Sequence, residues 1–71
     1  MEEHAAHNIK LTRREKTILQ EVALGRTTPQ IAEALGLSPE TIKWYRKKLL
    51  VKYDVANTAE LVNRARECGA L

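Results

Sequence analysis

Cationic side chains gathered in one short segment are the residues of this sequence best suited to chemistry. Residues 39–52 hold five cations against one carboxylate, whereas the whole chain of 71 residues has Lys+Arg 12, Asp+Glu 9 and a net charge of +3. The five are Lys43, Arg46, Lys47, Lys48 and Lys52, and Trp44 lies among them. Positive charge concentrated on one element attracts a polyanion more selectively than a uniformly basic surface does. The segment therefore indicates recognition of nucleic acid, with donors for phosphates and base edges and one flat apolar ring.

Other kinds of chemistry lack their residues in this sequence. It shows no paired carboxylates in a pocket, no metal-spaced set of His and Cys and no Gly-rich phosphate loop, and so small a core leaves no room for a substrate cleft. His4 and His7 are three apart, but no carboxylate or thiol cluster completes a metal shell around them. Cys68 has no His or Asn partner near it, so we expect a small packing group rather than a nucleophile. We therefore expect no enzyme activity, no cofactor and no metal.

Cysteine usage and hydropathy indicate where such a protein would work. One cysteine cannot form an internal disulfide, so the fold must be stable in a reducing compartment. No apolar run reaches the roughly 18 residues of a membrane span, and the amino end lacks the basic-then-apolar pattern of a signal peptide. These features predict a soluble, cytoplasmic protein.

Capping residues divide the chain into four predicted helices. The four predicted N-caps are Thr12, Thr27, Ser38 and Asn57. Glu15 and Gln30 each lie three residues after a cap, which is the spacing of a capping box. Apolar residues then recur at helical spacing, and Gly25, Gly36 and Gly69 provide stops. The predicted helices span about 13–24, 28–35, 39–52 and 58–67.

The predicted fold class is all-α, with four short helices joined by turns. Only Gly36 and Leu37 separate the second helix from the cap of the third, so these two helices must turn steeply, as in a helix-turn-helix. Residues 1–9 contain little apolar material and no periodicity, and we expect them to form a flexible arm or a linker.

A helical wheel divides the third helix into two faces. The inward stripe consists of Ile42, Tyr45, Leu49, Leu50 and Tyr53. The opposite side carries Glu40, Lys43, Trp44, Lys47 and Val51, with Lys48 next to them. A major groove about 12 Å wide admits one α-helix, so a helix anchored on its inner side and cationic on its outer side has the shape of a DNA reader.

Each outward group suits a particular contact with DNA. Lys43 and Lys47, one turn apart, could donate to guanine O6 or N7, and Trp44 could pack on a thymine methyl or on the sugar edge. Helix N-termini present free N–H groups and a favourable dipole, which suits the neighbouring hydroxyl side chains to phosphate contacts. These hydroxyl side chains are Thr27, Thr28, Ser38 and Thr41. The stem of Arg46 is expected to pack while its guanidinium reaches the DNA backbone.

Plainer interpretations of the same residues stay open. A Lys-rich exposed face is usually a solvated surface, although the short preceding helix, the tight Gly turn and the exposed Trp favour a binding role here. Trp44 could instead pack against the first helix or the amino-terminal arm. The rival function is a protein-interaction module that docks its basic helix on an acidic partner with Trp44 as the anchor.

The segment from Leu11 to about Ala65 resembles the LuxR/NarL/FixJ-type helix-turn-helix domain. It contains LTRRE, IAEALGLS, TIK and NTAEL at the joint spacing of that family. The resemblance implies a tetrahelical helix-turn-helix bundle over residues 10–71, with the third helix in the major groove and dimers that pair on DNA through the fourth helix. It implies double-stranded DNA as the partner of a bacterial transcriptional regulator, with RNA polymerase as a further candidate partner.

The resemblance also assigns roles position by position. Base-facing positions fall on Lys43, Trp44 and Lys47. Backbone contacts fall on Thr27, Thr28, Ser38, Thr41, Tyr45 and Arg46, with Lys48 beside them. The dimer contact falls on Val62, Asn63 and Arg66. The sequence departs from the family pattern at two positions. Tyr45 occupies a position where His is commonest, which bears on one phosphate contact. Asp54 occupies a position where Gly is commonest, which bears on the turn after the third helix.

Members of that family usually carry an amino-terminal receiver or ligand-binding domain. The sequence is therefore expected to be either the carboxy-terminal domain of a larger regulator or a single-domain regulator. A short fourth helix buries little area, so we expect a monomer in isolation and a homodimer on DNA. Region 4 of a sigma factor is a related alternative, but the closing NTAEL helix argues against it.

Overall fold

The computed structural model describes residues 9–71, and this part of the chain is helical, without a strand. The four helices are α1 (Arg13–Ala23), α2 (Thr28–Leu35), α3 (Pro39–Tyr53) and α4 (Thr58–Glu67). The all-α prediction is confirmed, and the helix bounds differ from the predicted ones only by one residue at the ends of α1 and α3. His4, His7 and most of the predicted arm lie outside the described residues. Ile9, the last residue of that arm, is partly buried against the core.

Local hydrogen bonds explain why each helix begins where it does. The Thr12 hydroxyl accepts from the backbone N–H of Glu15 at 3.1 Å, and the Glu15 carboxylate accepts from the backbone N–H of Thr12 at 2.9 Å. Thr27 and Gln30 form the same reciprocal pair at 3.3 and 2.9 Å. Each box satisfies two backbone donors that a helix start would otherwise leave without partners. Both predicted capping boxes are therefore confirmed.

The turns around α3 use left-handed backbone conformations. Gly36 ends α2 with φ 69°, and the next backbone N–H, from Leu37, donates to Ala32 O at 2.9 Å. Asp54 ends α3 with φ 54° and is the one residue other than glycine with positive φ in the described part of the chain. Asp tolerates this conformation better than most residues, although glycine adopts it without steric cost.

α3 lies at the centre of the packing, because it contacts α1, α2 and α4. The core takes side chains from all four helices: Ile18, Leu19, Val22, Ile31, Ala32, Ile42, Leu49, Tyr53, Leu61 and Ala65. Burial of these apolar groups is the main force that holds α3 in a fixed orientation. One face of α3 is thereby anchored, and its opposite face is left at the surface.

Candidate nucleic-acid interface

The two predicted faces of α3 are confirmed by burial. Ile42 and Leu49 are fully buried, and Tyr53 is 2% exposed. On the opposite face, Trp44 is 56% exposed and Val51 75%. The indole therefore lies at the surface and is not buried beneath α1.

The predicted base-reading residues occupy this outward face. Lys43 and Lys47 are exposed, and neither ammonium group is ion-paired within residues 9–71. Trp44, Lys47, Lys48 and Val51 line an open hollow of ≈ 350 Å³ on the same side. The structure thus brings the three base-reading candidates together on one helix face, with exposed ammonium donors beside an apolar ring.

The hydroxyl groups predicted to meet phosphates lie at the starts of α2 and α3. Ser38 Oγ accepts from the backbone N–H of Thr41 at 3.2 Å and lies 2.9 Å from Thr41 Oγ1. Thr27 is exposed and Thr28 is half-buried. Because a capping hydroxyl accepts with its oxygen, the hydroxyl hydrogen of Thr27 remains available to donate to a phosphate oxygen.

Tyr45 and Arg46 are half-buried, unlike the exposed residues of the outward face. Tyr45 is partly buried, and its ring meets Trp44 edge-on, with centroids 5.0 Å apart and an interplanar angle of 79°. The guanidinium of Arg46 turns toward α4, where Nη2 donates to Thr58 Oγ1 at 3.1 Å. The expected packing of the Arg46 stem agrees with its half-buried position. A guanidinium has five N–H donors, so the bond to Thr58 leaves others for a phosphate.

Two of the five cations of α3 pair with a buried carboxylate of α1. The sequence predicted this acidic residue only as part of a helix cap. Glu15 of α1 is fully buried. Its Oε1 lies 2.7 Å from Lys52 Nζ, and its Oε2 lies 3.2 Å from Lys48 Nζ. These ion pairs compensate the desolvation of the carboxylate, which would otherwise be strongly unfavourable. The outward charge of α3 is therefore smaller than the sequence count suggests.

The surroundings of Glu15 keep it ionised. Burial raises the pKa of this carboxyl, but the hydrogen bonds from Lys52 and from the Thr12 backbone, together with the nearby ammonium of Lys48 and the charge of Lys52, lower it further than burial raises it. The result is a pKa for Glu15 of about 2, against an ordinary value of 4.5. The carboxylate thus remains charged at any pH at which a regulator works.

The sequence itself contains a signal for the cluster of Glu15, Lys48 and Lys52. Glu15 precedes the buried residues Ile18, Leu19 and Val22 by three, four and seven positions, so it lies on the apolar face of α1. A carboxylate on such a face needs a cationic partner from another helix, because a buried charge is rarely left unpaired. The partner itself could not be read from the sequence, since Lys48 and Lys52 are more than thirty residues away.

The same cluster extends to the segment before α1 and to the outward face. Lys52 Nζ also donates to the backbone carbonyl of Lys10 at 2.9 Å. Lys48 Nζ lies 4.9 Å from the centroid of the Trp44 ring, which is within cation–π range. Lys48 was predicted to contact the DNA backbone; its ammonium is instead shared between Glu15 and Trp44 here, and its DNA contact stays a prediction.

α4 bears the predicted dimer contact. Val62 is half-buried and packs on the core, whereas Asn63 and Arg66 are exposed. Arg64 is directed inward, and its Nη1 donates to the backbone carbonyl of Tyr53 at 3.3 Å, at the end of α3. Asn63 and Arg66 thus lie at the surface, and α4 is hydrogen-bonded to the middle of α3 through Thr58 and to its C-terminal end through Arg64.

A family model now identifies the chain. The model of bacterial regulatory proteins of the luxR family matches residues 10–65, which is most of the chain. The chain belongs to the luxR family. The LuxR-type resemblance is thereby confirmed, and with it the function as the DNA-binding effector domain of a bacterial transcriptional regulator.

Individual relatives agree with this assignment. The luxR-family chain is 43% identical to the transcriptional regulatory protein UhpA of Salmonella typhimurium over 54 residues, which is 76% of this chain and 28% of UhpA. It is 42% identical to the HTH-type transcriptional activator RamA of Corynebacterium glutamicum over 62 residues, 87% of this chain and 22% of RamA. Identity to the transcriptional regulatory protein DesR of Bacillus subtilis is 39% over 59 residues, 83% of this chain and 30% of DesR. The chain thus spans less than a third of each of these relatives.

Features of a membrane span or a metal site are absent from residues 9–71. No helix within residues 9–71 is both long enough and apolar enough to cross a membrane. The described part of this luxR-family domain contains no cluster of three or more His, Cys, Asp and Glu side chains arranged to hold a metal ion. Cys68 is half-buried and packs against the core, as predicted.

Proposed function

We propose that α3 of this luxR-family domain enters the major groove with its outward face, where Lys43, Trp44 and Lys47 meet the base edges. The observation that carries the proposal is the division of α3 into a buried stripe and an opposite face that holds exposed cations and a 56% exposed indole. An exposed indole is costly in water unless it has a partner. The width of the major groove admits a single helix held in this way.

The spacing of the two lysines suits neighbouring base pairs. Residues four apart on a helix are separated by about 6 Å along its axis. Base pairs are stacked about 3.4 Å apart, so Lys43 and Lys47 would address bases about two steps apart. Lys donates to guanine O6 and N7, and the neighbouring Trp44 ring would pack on a thymine methyl or a sugar edge. Three adjacent contacts of this kind give sequence preference.

Phosphate contacts would fix the position of α3 in the groove. The candidates are Thr27, Thr28, Ser38, Thr41, Tyr45, Arg46 and Lys48. The four hydroxyl residues lie at or next to the N-caps of α2 and α3, where backbone N–H groups and the helix dipole favour an anion. Such contacts set affinity and register rather than sequence preference.

The domain would pair on DNA through α4, with Val62, Asn63 and Arg66 in the contact. The exposed positions of Asn63 and Arg66 support this proposal. α4 has only ten residues, so the contact would be small and the free chain monomeric. RNA polymerase is a further proposed partner, and we propose a cytoplasmic location and no catalytic role for this domain.

Selection of bound duplexes from a random pool tests this function, followed by competition titrations with the selected duplex. Lys43→Ala and Lys47→Ala should each weaken specific binding by about 1 to 3 kcal/mol and reduce preference over a scrambled duplex. Lys16→Ala is the matched control, because it removes one exposed cation from α1. A two-fold symmetric motif would support pairing through α4.

Two outcomes would contradict the proposal. If both α3 variants keep wild-type preference, Lys43 and Lys47 do not read bases. If the wild-type chain selects no motif but binds an acidic protein, the domain is an interaction module, in which case the exposed Trp44 would be its anchor.

A further inference from the structure

Trp44 is the most exposed aromatic residue of the described chain, yet its ring is contacted from two directions. Tyr45, itself partly buried against the core, meets the indole edge-on at 5.0 Å. Lys48, one turn further along α3, places its ammonium 4.9 Å from the ring centroid. An exposed side chain without such contacts would sample several rotamers, and fixing it on binding would lower affinity.

The ammonium that contacts the ring does not lie free in solvent. Lys48 Nζ is 3.2 Å from Oε2 of the fully buried Glu15. The other oxygen of Glu15 is fixed by the backbone N–H of Thr12 at 2.9 Å and by Lys52 Nζ at 2.7 Å. The carboxylate is therefore fixed through Oε1, and its Oε2 forms an ion pair with the Lys48 ammonium that lies over the indole.

We infer that Lys48, held by Glu15 of α1, is a positioning residue that fixes the Trp44 indole for base reading. The inference deepens the proposed function and rests on it, because the reading surface is the same outward face of α3. Sequence preference then depends on a residue of α1 that never meets DNA. Lys48 acts through Trp44, and this role replaces the phosphate contact proposed for Lys48 above, which would add equally to binding of every duplex.

The chain offers a matched control for this role. Lys48→Met and Lys52→Met each remove one ammonium from the same carboxylate while keeping an unbranched apolar stem. Only Lys48 lies over the indole. Lys48→Arg keeps a cation that can both pair with a carboxylate and stack on an aromatic ring, so it should restore the wild-type behaviour.

The experiment has one measurement on the free protein and one with DNA. The chain has a single tryptophan, so its indole N–H gives one unambiguous NMR signal. In Lys48→Met the order parameter of this group should fall toward the flexible range, below about 0.6, while in Lys52→Met it stays as in the wild type. Preference for the selected duplex over a scrambled one should fall at least about fivefold in Lys48→Met, the lower end of what one base contact contributes.

Three results would overturn the inference. The first is an indole as rigid in Lys48→Met as in the wild type. The second is weaker binding of all duplexes by Lys48→Met with an unchanged preference ratio, which would make Lys48 a phosphate contact. The third is an equal loss of preference in Lys52→Met, which would trace the effect to stability alone. A wild-type chain without preference for any duplex would contradict the proposed function itself. The NMR measurement on the free protein would still decide whether Lys48 fixes the indole ring.

Discussion

Two pairs of lysines on α3 have the same spacing and different surroundings. Lys43 and Lys47 are four residues apart and exposed; Lys48 and Lys52 are also four apart, and both contact the buried carboxylate of Glu15. The outward pair has no ion pair within residues 9–71, whereas the inward pair joins α3 to α1. Residue type and spacing along α3 therefore do not distinguish an outward lysine, proposed to read DNA, from one that pairs with a buried carboxylate. The position of one carboxylate on another helix does.

The largest expected effect comes from removing the apolar stripe that holds both pairs in place. Leu49 is fully buried and lies between Lys48 and Lys52 in the sequence; Leu49→Ala should cost about 2 to 5 kcal/mol of unfolding free energy, much of the stability of so small a domain. Thermal and urea unfolding would measure it. Val51→Ala is the control, since Val51 is 75% exposed. Equal melting temperatures for the Leu49 variant and the wild type would show that Leu49 is not part of the core.

Glu15→Gln should leave the inward pair, Lys48 and Lys52, without an anionic partner, as the outward pair already is within residues 9–71. The amide can keep the cap with Thr12 but cannot neutralise two ammonium groups, and we expect a loss of about 2 to 3 kcal/mol at pH 7. The loss stays below that of a fully buried pair because Lys48 and Lys52 keep side-chain exposures of 40% and 28% and can turn to solvent. Glu40→Gln, on the exposed side of α3, is the control. Identical urea midpoints for Glu15→Gln and the wild type would show that the inward pair adds no stability.

Acid should reduce the difference between the wild type and Glu15→Gln. The folded pKa of Glu15, about 2, lies below its ordinary value of 4.5, so the ionised carboxylate contributes stability above pH 4.5 that is lost as the pH falls through about 2. The free-energy gap between the two proteins should shrink to under about 1 kcal/mol near pH 2. Unfolding midpoints at several pH values would measure it. A gap independent of pH would mean that the charge of Glu15 is not the source of its effect.

The smallest expected effect is on the salt dependence of DNA binding. Lys47→Ala should lower the slope of log K against log salt by up to about one unit if its ammonium also displaces counterions from the groove, whereas Lys52→Ala should leave the slope unchanged. Titrations with one duplex at several salt concentrations would provide both slopes. A lower slope for Lys52→Ala alone would reverse the assignment of the two pairs.

Local chemistry made most of the fold predictable. The caps at Thr12, Thr27 and Ser38 and the glycine stop at Gly36 depend on residues within four positions of one another, and each appears in the structure as predicted. The two faces of α3 followed from its helical period alone, because burial of one face leaves the other exposed. Family resemblance then added the roles of the outward residues.

Contacts between distant segments were not predictable in the same way. The ion pairs of Lys48 and Lys52 with Glu15 and the hydrogen bond from Arg46 to Thr58 join residues on different helices. The wheel placed Lys48 beside the outward residues, and Lys48 does line the hollow with Trp44 and Lys47. A wheel has no information, however, on which carboxylate approaches from a neighbouring helix. A long cationic side chain can turn either way, and only the packed structure decides its direction.

Titration of the isotope-labelled chain with the selected duplex tests most directly whether α3 reads DNA with its outward face. The indole N–H of Trp44 and the backbone amides of Lys43 and Lys47 should show the largest chemical-shift changes, while the side-chain ammonium of Lys52 keeps its contact with Glu15. Large changes confined to α1 or α4, with the α3 signals unmoved at saturation, would contradict it.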